Sequence, residues 1–118
     1  MSNHCLFIGW NRPVIGREMA AVEIFNMFVG FLTKEQKAGN IDSFEPVILG
    51  VHGGDLNGFV LVRGDQKKLD VLRASDTFLE MITGCQFNVQ GFGVINGFLG
   101  DKVTEQLGRF QKMATSTR

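Results

Sequence analysis

Apolar positions along the chain change period several times, and each change predicts an element. Cys5-Leu6-Phe7-Ile8-Gly9-Trp10 is an unbroken apolar run stopped by Asn11-Arg12-Pro13, the pattern of a buried strand with turn residues behind it. After Gly16 the polar residues Glu23, Asn26, Gly30, Lys34 and Lys37 recur at intervals of three and four, which predicts a helix with one narrow wet stripe and an apolar surface wider than one sheet covers. Gly39-Asn40 supplies its left-handed stop. Ile41 to Val51 predicts a second strand; Pro46, unable to donate to a ladder, assigns it to an edge or a bulge. His52-Gly53-Gly54-Asp55-Leu56-Asn57-Gly58 is a hairpin loop leading into a third strand, Phe59 to Arg63.

Asp65 is placed to cap a second helix carrying Leu69 and Leu72, with a break or recapping at Ser75 before Phe78, Leu79, Met81 and Ile82. Gly84 is expected to end that helix, and Phe87 to Leu99 to form a fourth strand in which Gly91, Gly93 and Gly97 mark a bulge or a close approach. Asp101 caps a last helix through Val103, Leu107, Phe110 and Met113, with a frayed end from Ala114 to Arg118. Two similar halves, Leu6 to Val51 and Phe59 to Leu99, give two intercalated right-handed βαβ units. The predicted fold is therefore α+β and ferredoxin-like, with a four-stranded antiparallel sheet in the order 4-1-3-2 and helices on one face.

A sheet covered on one side should alternate apolar and polar residues, and these strands do not. Leu6, Ile8 and Trp10 share one face while Cys5 and Phe7 share the other; Phe59 and Leu61 oppose Val60 and Val62. Each exposed Leu or Phe forgoes roughly 1.5 to 3 kcal/mol of burial, so something covers the second face. A second copy of the sheet is the economical cover, which predicts a homodimer.

The short strand Leu6 to Trp10, the long apolar helix through Phe31, the hairpin after His52 and the helix interrupted at Ala74-Ser75-Asp76 together resemble the dimeric α+β barrel superfamily. That group contains cofactor-independent monooxygenases of antibiotic biosynthesis, muconolactone isomerases, haem-degrading enzymes, YCII-like proteins and many uncharacterised small members, which this chain resembles most. The resemblance implies the fold and a dimer. Haem-degrading members take a proximal histidine from a helix, and neither predicted helix between the strands contains one; tyrosine, which some relatives use in their pockets, is absent.

Composition narrows the function. With 118 residues, 44% apolar content and 11 Phe, the chain has the material of one globular domain spanning 1–118. Twelve basic and twelve acidic side chains balance to zero, which disfavours a nucleic-acid partner or an anionic membrane surface. The longest apolar stretch, Met19 to Leu32, is too short and too polar to span a bilayer. Cys5 and Cys85, without signal-peptide order at Met1 to His4, read as reduced thiols of a cytoplasmic protein. His4 and His52 lie far apart and neither cysteine sits in a CxxC arrangement, so neither a metal site nor another cofactor is expected.

The strand order sends Trp10, Asn11, Arg12, His52, Asp55, Asn57, Asn88 and Gln90 to one end of the sheet, either as a pocket or as a rim of turn residues. Within that set His52 and Asp55 form a candidate catalytic pair if the carboxylate orients the imidazole, while Asp55 could equally bond backbone amides. Trp10, Asn11, Arg12, Asn57, Asn88 and Gln90 are candidate ligand contacts. His-Gly-Gly has no G-x-S-x-G elbow to pair with, which removes the lipase analogy. Arg63 either binds a carboxylate ligand or pairs with Glu45 or Asp42. The functions that fit are binding of a small apolar or aromatic molecule, cofactor-independent catalysis on such a molecule with His52 as base, and a structural or partner-binding homodimer without ligand chemistry.

Overall fold

A computed structural model describes residues 2–116. The elements follow one another as β1 (His4–Trp10), α1 (Glu18–Lys37), β2 (Ser43–Ile48), β3 (Gly58–Gly64), α2 (Gln66–Ala74), α3 (Asp76–Asn88), β4 (Gly93–Phe98) and α4 (Asp101–Ser116). The strands form one antiparallel sheet ordered β2-β3-β1-β4, the predicted order read from the other edge. Pro46 lies in β2, at an edge, where the missing N–H removes no bond to a second neighbour.

Local chemistry explains most boundaries. Gly39 adopts φ +79° after α1, and the Asn40 N–H reaches back to the Glu35 carbonyl at 3.0 Å, closing the helix end. The Asp65 carboxylate accepts from the Lys68 N–H at 3.2 Å and so caps α2. Ser75 serves both helices it separates: its hydroxyl donates to the Leu72 carbonyl at 2.7 Å and accepts from the Phe78 N–H at 3.3 Å. Register places Leu6 opposite Val62 and Ile8 opposite Val60, and these four side chains are buried beneath the helices with Phe28, Leu32 and Phe78.

Three boundaries differ from the sequence-based expectation. Gly84 does not end a helix; α3 runs on to Asn88. A Cβ at Gly84 would lie 3.1 Å from Cδ1 of Ile24 on α1, so this glycine serves helix-to-helix approach. Phe87 and Asn88 are consequently helical, Gln90 lies in the connection, and β4 starts at Gly93. The turn is instead made at Gly91, with φ +60°. Asp101 is the first residue of α4 rather than the residue before it, and the helix persists through Ala114 and Thr115 to Ser116.

The face of the sheet turned away from the helices carries Cys5, Phe7, Phe59, Leu61 and Ile95. Phe7 and Phe59 stack with ring centroids 4.8 Å apart, and Ile95 is 59% exposed. Glycines sit among them, and Gly9 faces Gly93 across the ladder. A Cβ on Gly9 would strike the Phe7 ring at 2.8 Å, whereas one on Gly93 would meet nothing, leaving a flat open patch. Among the described residues, no helix is long and apolar enough to cross a membrane.

Candidate functional site

A cavity of about 230 Å³ lies between the sheet and the helices α1 and α3. Its floor is Ile8, Trp10 and Val60 from the sheet. Val22, Phe25 and Val29 from α1 form one wall, and Cys85, Val89 and Phe92 form the other. Pro13, Val22 and Ile48, which are exposed, rim its mouth. The cavity exists because α1 is apolar over more of its circumference than the sheet covers, so bulky side chains point both at the strands and towards α3. Phe28 packs edge-on against Phe31 and Phe78, at centroid distances of 6.2 and 5.9 Å, and fills the core beside the cavity.

Trp10 is the only tryptophan and one of the cavity walls. Its ring lies against Gly58, where a Cβ would approach Cζ2 to 2.7 Å, so the absence of a side chain on β3 makes room for the indole. Phe25 meets it edge-to-face at 5.8 Å. Among the described residues, no charged side chain lines the cavity. Its one titratable group is Cys85, whose thiol burial pushes up to about 11, so near neutrality it is an uncharged, weakly polar wall and not a nucleophile. Both cysteines are free and buried.

The predicted polar residues gather beside this cavity as ties between chain segments. The Asn57 side-chain amide donates to the Asn11 side-chain oxygen Oδ1 at 3.1 Å, and the Asn57 backbone N–H donates to the Trp10 carbonyl at 2.9 Å. Asn11 and Gln90 join the strand-one exit to the segment after α3 through Asn11 N–H to Gln90 O, 2.8 Å, and Gln90 N–H to Arg12 O, 2.7 Å. Asn88 donates to the Gly84 carbonyl at 2.8 Å and accepts from Arg17 at 3.5 Å. Arg12 is exposed. Of the predicted ligand contacts, Trp10 alone lines the cavity.

His52 and Asp55 lie in the exposed β2–β3 loop, outside the cavity lining. The Gly54 N–H donates to His52 Nδ1 at 3.1 Å, which leaves Nε2 protonated to donate to the Leu56 carbonyl at 2.6 Å. Both ring nitrogens thus hold the loop, and among the described residues Asp55 makes no hydrogen bond or ion pair with His52. Arg63 pairs with Glu45 at 3.3 Å. The cavity residues of α1 and Cys85 were absent from the sequence-derived site; the width of the α1 apolar surface was their one signal.

No family model matches the chain, and no curated protein matches it. Solved structures do. A dimeric protein of unknown function with a ferredoxin-like fold from Bacteroides fragilis aligns at 7% identity and TM-score 0.59, over 81% of this chain and 96% of that one. A conserved protein of unknown function from Bacteroides thetaiotaomicron, described as a possible oxidoreductase, aligns at 9% identity and TM-score 0.63, over 84% and 100%. SnoaB, a cofactor-independent oxygenase from Streptomyces nogalater, aligns at 15% identity and TM-score 0.51, over 84% and 93%. At these identities the likeness is one of fold: the chain shares the ferredoxin-like α+β architecture of these proteins.

Proposed function

We propose that the protein is a homodimer, paired sheet to sheet, in which each copy binds a small apolar or aromatic molecule between its sheet and helices α1 and α3. The observation that carries the binding reading is the cavity of about 230 Å³ walled by apolar side chains and Trp10. A dry cavity of about 150 Å³ lined by Leu, Ile and Phe accommodates benzene, so this one suits a one- or two-ring molecule. With no cation or strong donor in the lining, the preferred ligand is neutral, held by burial and ring contacts rather than by charge. The dimer reading is supported by the apolar outer face of the sheet and by the dimeric B. fragilis structure.

The cofactor-independent oxygenase among the structural neighbours supports a second reading, in which the same cavity holds a substrate. Binding is favoured because the cavity presents no base: its sole titratable wall is the protonated Cys85, and His52 spends both nitrogens on its loop. Catalysis in this setting would require the β2–β3 loop to rearrange and free His52.

Titration with indole-free aromatic probes such as naphthalene and 1-naphthol, read by Trp10 emission, tests the binding reading. Saturable change with one site per chain is expected. Ala21→Leu, which adds bulk from a buried lining position, should weaken naphthalene binding at least tenfold while leaving thermal stability nearly unchanged. Emission that is indifferent to every probe, or equal affinity in the filled variant, would remove the cavity as the site.

A further inference from the structure

Helix α4 has no buried residue along its 16 positions, yet its sequence is strongly two-sided. Val103, Leu107 and Phe110 recur at helical spacing and are 42%, 62% and 67% exposed. An isolated helix of about this length is marginal in water, and most helical stability in proteins comes from burying an amphipathic face. The chain is also extended for its size: its radius of gyration is 16.3 Å and its long axis 52 Å. A compact domain of this length has a radius of about 13.5 Å. Helix α4 therefore stands clear of the body with an apolar stripe facing solvent.

We infer that α4 docks this stripe on a second copy of the chain, widening the sheet-to-sheet interface at its margin. The inference rests on the homodimer proposed above, and interface area is what selects the occupant. Four strands of six or seven residues present a face of about 400 Å². Each partner in a stable interface buries about 800 Å². A docked α4, about 24 Å long and about 10 Å wide, extends that planar footprint by about 240 Å², roughly 60% more, towards the accessible area that a stable dimer buries. Charge argues against a lipid surface as the occupant. A membrane-surface helix carries a predominantly basic polar face, whereas α4 sets Asp101 and Glu105 against Lys102, Arg109 and Lys112, with Lys102 already paired to Glu105 at 2.9 Å.

The test combines sedimentation with hydrogen exchange on the full chain, for the wild type and for the double variant Leu107→Glu/Phe110→Glu. Slow exchange over 101–116 in the wild-type dimer, lost on dilution to the monomer, is expected, together with dimer dissociation strengthened at least tenfold by the double variant. Protection of β1 in that variant verifies that the body remains folded, and a chain ending at Gly100 gives an independent removal of the stripe. A wild-type dimer whose dissociation is unchanged by both alterations and whose α4 exchanges freely overturns the inference and leaves the homodimer standing. A wild type that is monomeric at every concentration instead overturns the homodimer, and α4 docking with it. Protection of α4 that appears only with phosphatidylglycerol vesicles assigns the stripe to a lipid surface and likewise overturns the inference.

Discussion

The two faces of the sheet are built from alternating residues of the same strands, but they end in different surroundings. Leu6, Ile8, Val60 and Val62 lie under three helices and are at most 4% exposed. Their sequence neighbours Phe7, Phe59 and Leu61 are half-buried and Ile95 is mostly exposed, on a face they share with Gly9, Gly93, Val47 and the Arg63–Glu45 ion pair. Similar apolarity therefore serves two ends. On the helix side the side chains belong to different elements, and where their packing leaves a gap the result is a cavity that opens to solvent past Pro13, Val22 and Ile48. On the open side they come from one rigid surface with Gly9 opposite Gly93, which makes a flat area suited to another flat area.

The largest effect that separates the faces is truncation of the best buried side chain. Phe78 is 0% exposed and packs against both Phe28 and Phe31, so Phe78→Ala should destabilise the fold by roughly 3 to 5 kcal/mol. Denaturant midpoints should fall by the corresponding amount, and the loss should be the same at low and high protein concentration. A loss that vanished on dilution would mean that this side of the sheet also depends on the partner.

Leu61→Glu poses the same question to the open face. In a single chain a carboxylate at this half-buried position meets Glu45 across the ladder, a modest solvent-screened repulsion, whereas between paired sheets it would bury an unpaired charge at much greater cost. Dimer affinity should drop at least a hundredfold, and light scattering at micromolar concentration should move from twice 13.1 kDa to 13.1 kDa, with the monomer still folded. Unchanged mass would break the assignment of this face to self-association.

How much of this was legible in the sequence depends on how local each cause is. Strand order, the edge position of Pro46, the Asp65 cap and the recapping at Ser75 follow from periodicity, the handedness of βαβ units and short-range hydrogen bonding, and all are present in the structure. Gly84 departs from the helix-ending role its sequence context predicts because its role is set by Ile24, a residue 60 positions earlier whose side chain lies against the space a Cβ would take. With the helix prolonged to Asn88, the fourth strand begins later than its apolar pattern suggested. The site was half legible for a similar reason. Polar turn residues announce that chain segments meet: Asn11 bonds both Asn57 and Gln90, and Asn88 bonds Val14 and Arg17. The cavity beside them depends on how α1 and α3 fail to fill a volume, which no single segment encodes.

The smallest predicted effect probes the helix-side face through its thiol. Burial raises Cys85 from the ordinary value of 9.0 to about 11, so the folded chain keeps a proton that the unfolded chain releases at lower pH. Below about pH 9 both states hold the proton and the stabilisation is fully present. Between about pH 9 and 11 only the unfolded state ionises, so stability declines as pH rises; above that both are ionised and this contribution stops changing. Urea midpoints across the window should fall more steeply for the wild type than for Cys85→Ala, since Cys5, whose thiol burial also raises, is common to both proteins. Parallel declines would mean that the Cys85 thiol ionises as readily in the folded chain as in the unfolded one. Water would then reach the cavity wall freely, which would argue against apolar rings as its occupants.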